Sequence, residues 1–144
     1  EMTMNVTQIS VFLENRAGQL SNITKVLSDN GVDLRAINIA ETADYGVLRL
    51  IPADAQKASA VLLENGFIMA MTPVIAVAVP DRPGGLNILL EALSEENIGI
   101  EYMYSVFSSN SGEALMVLQV GEAEKVAEVL AKHEFKTVTI DEIK

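Results

Sequence analysis

The residues best suited to chemistry lie in a short stretch, Asn15-Arg16-Ala17-Gly18-Gln19-Leu20, that returns as Asp81-Arg82-Pro83-Gly84-Gly85-Leu86. In both places an alternating apolar run comes before and a helical pattern follows, which predicts a strand–turn–helix joint built twice. Glycine at such a joint lets the backbone bend tightly and approach a ligand closely. The helix that starts there directs unpaired N–H groups and the positive end of its dipole into the turn. That arrangement suits a carboxylate or a phosphate. Two plainer roles stay open. Asn15 and Asp81 are residue types that cap helices and form turns in any case, and Arg16 and Arg82, candidates to clamp a ligand carboxylate, are also suited to solvent or to pairing with nearby acids.

Composition removes several function classes. The chain has 144 residues, 49% of them apolar, enough for a packed core. Ten Lys and Arg stand against twenty Asp and Glu, a net charge of −10. This balance argues against nucleic acid and against an anionic membrane surface, both of which need clustered cations. There is no cysteine, so no disulfide, thiol nucleophile or thiolate metal site. His133 is the one histidine, too few for a zinc site or a Ser-His-Asp triad. No metal or cofactor is expected. No apolar run nears the length of about 20 residues of a membrane span, no signal-peptide pattern stands out, and the expected location is the cytoplasm.

The elements that position the two turns repeat with them. Gly84 follows Gly18, and Leu86 follows Leu20, by 66 residues, and the register holds through Leu27/Leu93 and Ser28/Ser94. It then slips by two, to Lys57/Lys125, Leu62/Leu130 and Phe67/Phe135, so two extra residues fall in Ser108-Ser109-Asn110-Ser111-Gly112. Glycine, serine and asparagine belong in a hairpin turn, where an insertion costs little. Each copy reads strand, helix, strand, strand, helix, strand. In the first, Ile9, Val11 and Leu13 alternate; Leu20, Ile23 and Leu27 share a helical face; Leu34 to Ala40 and Gly46 to Ile51 form a hairpin; Ala58, Val61 and Leu62 line a second helix; Phe67 to Thr72 is the last strand. In the second, a strand through Val79 precedes a helix of Leu86, Leu89, Leu90 and Leu93. Ile100 to Phe107 and Glu113 to Val120 make its hairpin, Lys136 to Ile140 its closing strand, and Asp141 to Lys144 a polar tail.

Right-handed crossovers turn βαββαβ into a four-stranded antiparallel sheet with both helices on one face. The predicted fold is therefore α+β: two ferredoxin-like units in tandem, residues 1–72 and 73–144, divided only around Pro73 and packed as one body. Val74, Ala76 and Ala78 are apolar on the side facing away from the helices. That face is therefore expected to be covered by a further sheet.

The chain resembles the ACT domain family, small βαββαβ modules that bind amino acids and regulate metabolic enzymes. The carriers are Glu14 to Leu20 with Gly31-Val32-Asp33-Leu34, and Asp81 to Leu86 with Asn97-Ile98-Gly99-Ile100. The resemblance covers a tandem pair from about Thr7 to Ile140. It implies a ligand contact from the polar residue that ends the first strand, Asn15 or Asp81. It implies carboxylate binding by the backbone N–H groups of Ala17, Gly18, Gln19 and Leu20, and of Gly84, Gly85 and Leu86. A second polar position opening the next strand in serine-binding members corresponds to Asp33; in the second copy it is Gly99, which has no side chain to offer. Asn38 and Tyr104, also 66 apart, sit on the same face of the second strand and either line a pocket or pack.

The resemblance implies a regulatory or sensor protein that binds a free amino acid. It would be a non-enzyme and a homodimer, acting on a separate metabolic enzyme or regulator. Two alternatives stand beside it. One is a ligand-free assembly module whose glycine turns serve packing alone. The other is an acylphosphatase-like hydrolase on the same fold, with Arg16 and Asn15 at a phosphate-cradling loop, although no nucleophile or general base is clearly placed.

Overall fold

Alternation in the first apolar run becomes a strand whose inward residues Ile9, Val11 and Leu13 are all buried. A computed structural model of the chain describes residues 6–14, 17–41, 45–106 and 112–143. The elements in order are β1 (Val6–Glu14), α1 (Gln19–Asp29), β2 (Leu34–Glu41), β3 (Tyr45–Pro52), α2 (Ala55–Glu64) and β4 (Ile68–Pro80). There follow α3 (Gly85–Glu95), β5 (Ile100–Ser105), β6 (Glu113–Val120), α4 (Ala123–Lys132), β7 (Thr137–Val138) and a 3₁₀ turn, Ile140–Glu142.

The chain gathers into two units, one of Thr7–Thr72 and one from Pro73 onwards together with Val6. In the first, β1 lies between β3 and β4, and β2 is the edge beyond β3. In the second the order is β5-β6-β4-β7, antiparallel throughout. This is the ferredoxin-like plan in tandem. Pairing sets Ile9 against Leu50 and Val11 against Leu48, and these meet Ile23 and Leu27 of α1 and Leu62 of α2 in one core. The second core repeats it, with Ile75, Val77, Leu89, Leu93, Leu118 and Leu130. A register shift between Leu34 and Ala36 recurs between Ile100 and Tyr102, so the same bulge opens the second strand of both copies.

The four α-helices among the described residues end in the same way. The N–H groups of Val32, Phe67, Ile98 and Phe135 reach back to the carbonyls of Leu27, Leu62, Leu93 and Leu130 at 2.9, 3.0, 3.0 and 2.8 Å. With the bonds from Gly31, Gly66, Asn97 and Glu134 to the carbonyls of Ser28, Leu63, Ser94 and Ala131, this is the Schellman arrangement, and each long-range pair is apolar. The residue between must be left-handed. The first copy places Gly31 and Gly66 there, whereas the second uses Asn97 and Glu134, at φ 59 and 62°.

Three features depart from the sequence reading. The two strands expected on either side of Pro73 are one strand, β4. Proline's fixed φ suits extended backbone, and the exposed Pro73 is lost only as a donor. The closing strand shrinks to Thr137–Val138, and the expected polar tail folds back. There Thr139 and Glu142 form a reciprocal capping box, and Ile143 is fully buried. Leu20, placed by its spacing on the core stripe, is 41% exposed in the first turn of α1. The helix-free face of the second sheet is not bare: Val74, Ala76, Ala78, Leu115, Val117 and Tyr104 are all buried.

Candidate functional site

The two turn glycines take one conformation. Gly18 stands before α1 at φ 88°, ψ −13°, and Gly84 before α3 at φ 89°, ψ −11°. Only glycine enters this left-handed region without strain. Each glycine carbonyl accepts the first helical bond, from the N–H of Asn22 at 2.9 Å and of Ile88 at 3.1 Å. Being glycines, neither N-cap residue offers a side chain to its helix, and neither first turn carries an acidic residue. The positive end of each dipole therefore meets no carboxylate of its own first turn.

The turns differ at the next residue. Gly85 is buried, and a Cβ there would collide with the carbonyl oxygen of Pro80. Its N–H donates to the Arg82 carbonyl at 2.9 Å and is thus committed within the turn. The first copy has Gln19 at this position. The second turn is also fastened from outside, since the Asp81 N–H donates to the Gly112 carbonyl and the Arg82 N–H to the Pro80 carbonyl, both at 3.0 Å. Asp81, Arg82 and Gly84 are exposed, as are Ala17 and Gly18, while Leu86 is half-buried against the second core. Asn15 and Arg16 lie outside the described residues.

Other residues singled out from the sequence stand elsewhere. Asp33 follows α1 at the end opposite Gly18, and a helix of 11 residues is about 16 Å long. One unit therefore does not bring the Gly18 turn and Asp33 together. Asp33 is ion-paired with Arg35 at 3.0 Å and lines a groove with Thr24, Leu27 and Gly31. The second copy repeats that groove with Leu90, Leu93, Asn97 and Gly99, which brings no carboxylate to it. Asn38 lies mid-strand on the helix-free face, its Oδ1 accepting from Arg49 Nη1 at 3.2 Å. Tyr104 is buried opposite Val117.

A further hollow went unread in the sequence. It opens beside Pro80 in the second unit and is lined by His133, Glu134, Phe135 and Lys136, with Glu113 and Ile88. Its signal lay in the repeat, where Asn65, Gly66 and Ile68 of the first copy correspond to His133, Glu134 and Lys136. Among the described residues, no group of three or more His, Asp or Glu is placed to hold a metal. Nor, among them, is any helix long and apolar enough to cross a membrane.

Twin βαββαβ units, each with a left-handed glycine opening its first helix, define a tandem ferredoxin-like module. The chain belongs to the ACT domain pair family, whose signature matches residues 4–144. Among solved structures it is similar to protein BT0572 from Bacteroides thetaiotaomicron, at 38% identity and a TM-score of 0.90, covering 97% of this chain and 96% of that one. It shares its fold with the ligand-free regulatory subunit of aspartate kinase from Thermus thermophilus, at 14% identity and a TM-score of 0.65, with 89% and 92% of the two chains covered. It also shares it with the aspartokinase alpha and beta subunits, at 18% identity and a TM-score of 0.62, over 90% and 92%. No protein with a curated functional description matches.

Proposed function

We propose that this protein is an amino-acid sensor without catalytic chemistry of its own, which passes the occupancy of its glycine turns to a separate enzyme or regulator. The observation that carries this reading is the matched geometry of Gly18 and Gly84, each opening a helix whose N-cap residue has no side chain and whose first turn has no acid. An amino acid needs donors for its carboxylate and acceptors for its ammonium. The helix N-termini supply the donors, and Asn15 and Asp81 supply the acceptors in charge-assisted bonds. Asp33 contributes only where a second chain brings it to a turn, because α1 separates it from Gly18. A partner enzyme is supported by the likeness to an aspartate kinase regulatory subunit, a chain that is itself separate from a catalytic one.

A homodimer is part of the same reading. The edge strand β2 carries Ile37 and Ile39, 39% and 45% exposed, and apolar residues on an open edge favour pairing. The cytoplasm is the proposed location.

The deciding experiment is thermal unfolding against each common amino acid at millimolar concentration. A ligand at about 100 times its dissociation constant adds roughly 2.7 kcal/mol. For a chain of this size that raises the midpoint on the order of 5 to 10 °C. A selective rise, lost in Asn15→Ala or Asp81→Ala, is the expected outcome. A flat panel moves the weight to an assembly module.

A further inference from the structure

We propose that the hollow beside Pro80 is a second ligand site, present in the second unit alone, for a small zwitterion with an aliphatic side chain. It goes beyond the sensor reading and does not depend on the glycine turns binding anything. The cavity measures about 340 Å³, within the range of sites for small metabolites. Its rim carries one cationic side chain, Lys136, and the imidazole of His133, against the carboxylates of Glu113 and Glu134. Its apolar wall is Val79, Ile88 and Phe135. Ile88 is 44% exposed although it is a large aliphatic side chain on a helix, so apolar surface is available to a ligand.

Charges of both signs around one apolar wall match a molecule that carries an ammonium, a carboxylate and an alkyl group. Lys136 is only loosely held, its Nζ 3.9 Å from Glu142, so it can turn to a ligand carboxylate. Glu113 and Glu134 are left to take the ammonium. The first copy lacks these groups. Ala78, Glu134 and Lys136 correspond there to Phe12, Gly66 and Ile68, a large ring, a residue without a side chain and a neutral alkyl group.

The same walls fasten the second glycine turn. Pro80 and Gly112 line the cavity, and their carbonyls hold the N–H groups of Arg82 and Asp81. A ligand here lies against the two residues whose carbonyls hold the turn before Gly84. The site is thereby placed to modulate whatever the turn does.

His133 is the only histidine of the chain, so its imidazole resonance is an unambiguous reporter of the cavity. The test follows that resonance while the full chain is titrated with each common L-amino acid. A saturable shift for at least one aliphatic amino acid is expected, weakened about tenfold or more, 1.4 kcal/mol, by Lys136→Met or Glu113→Gln. Both residues are exposed, so the variants fold, as circular dichroism would confirm. Butylamine and butyrate, each carrying one charge alone, are expected to bind at least tenfold more weakly. A silent resonance across the panel overturns the proposal, as does a shift that both variants leave intact. Butyrate binding as tightly as the amino acid overturns the zwitterion class.

Discussion

Gly85 and Gly18 are both turn glycines, yet they are required for different reasons. Gly18 sits at φ 88° with open space where a Cβ would go, so alanine there meets only backbone strain. That strain is about 1–2 kcal/mol, partly offset by a less flexible unfolded chain. Gly85 has an ordinary φ but no room, because its Cβ would meet the Pro80 carbonyl and the helix start would have to move. Overpacking against backbone costs about 1–3 kcal/mol or more. Gly85→Ala should therefore lower the urea midpoint more than Gly18→Ala, and the reverse order would refute the close approach. The opposite sign is expected at Glu134, which holds φ 62° where the first copy has Gly66. Glu134→Gly relieves left-handed strain and should stabilise by up to about 1 kcal/mol in urea unfolding.

At the scale of elements, helix ends give the two units their shared outline. Each apolar residue that follows a left-handed position pins its helix to the core, so the next strand begins at a set place. The C-terminal 3₁₀ turn makes a different stop. The Thr139 N–H donates to Glu142 Oε1 at 2.8 Å, and its hydroxyl lies 3.2 Å from the same oxygen. These bonds to Thr139, first from backbone and then from side chain, with Lys136 adding to them, hold the Glu142 carboxyl below the ordinary glutamate value. A depressed folded value stabilises the fold above the unfolded value, and that stabilisation is lost as pH falls through the folded value. Glu142→Gln should thus unfold at lower urea than the parent chain at neutral pH, and the gap should close on acidification. A gap that stays constant would show that the charge contributes nothing. Solvent screening keeps the effect small at so exposed a group.

For the whole molecule, the open edge at β2 is the surface to test. In the proposed dimer Ile39 leaves water, and a lysine there blocks edge pairing, as natural edge strands do. Ile39→Lys should shift the mass measured by light scattering from dimer toward monomer and leave the circular dichroism spectrum intact. A parent chain that is monomeric at every concentration would remove the dimer from the sensor reading.

Local signals carried much of this architecture. Period-two and helical apolar spacing, glycine at the joints and the 66-residue repeat each act within a few neighbouring residues, so they were legible as sequence. They placed the four α-helices of the described residues, the paired hairpin strands, the two-unit plan and both turn glycines. What depended on distant partners was not. That Pro73 lies inside a strand follows from a sheet that tolerates one lost donor. That Ile143 is buried follows from a cap closed by Thr139 and Glu142. Asp33 and Gly18 are close in sequence, yet an intervening helix holds them apart. The hollow at His133 needs β4, α3, β6 and the turn after α4 at once. Propensity and period are written residue by residue, whereas burial, separation and a cavity exist only once elements far apart in the chain have met.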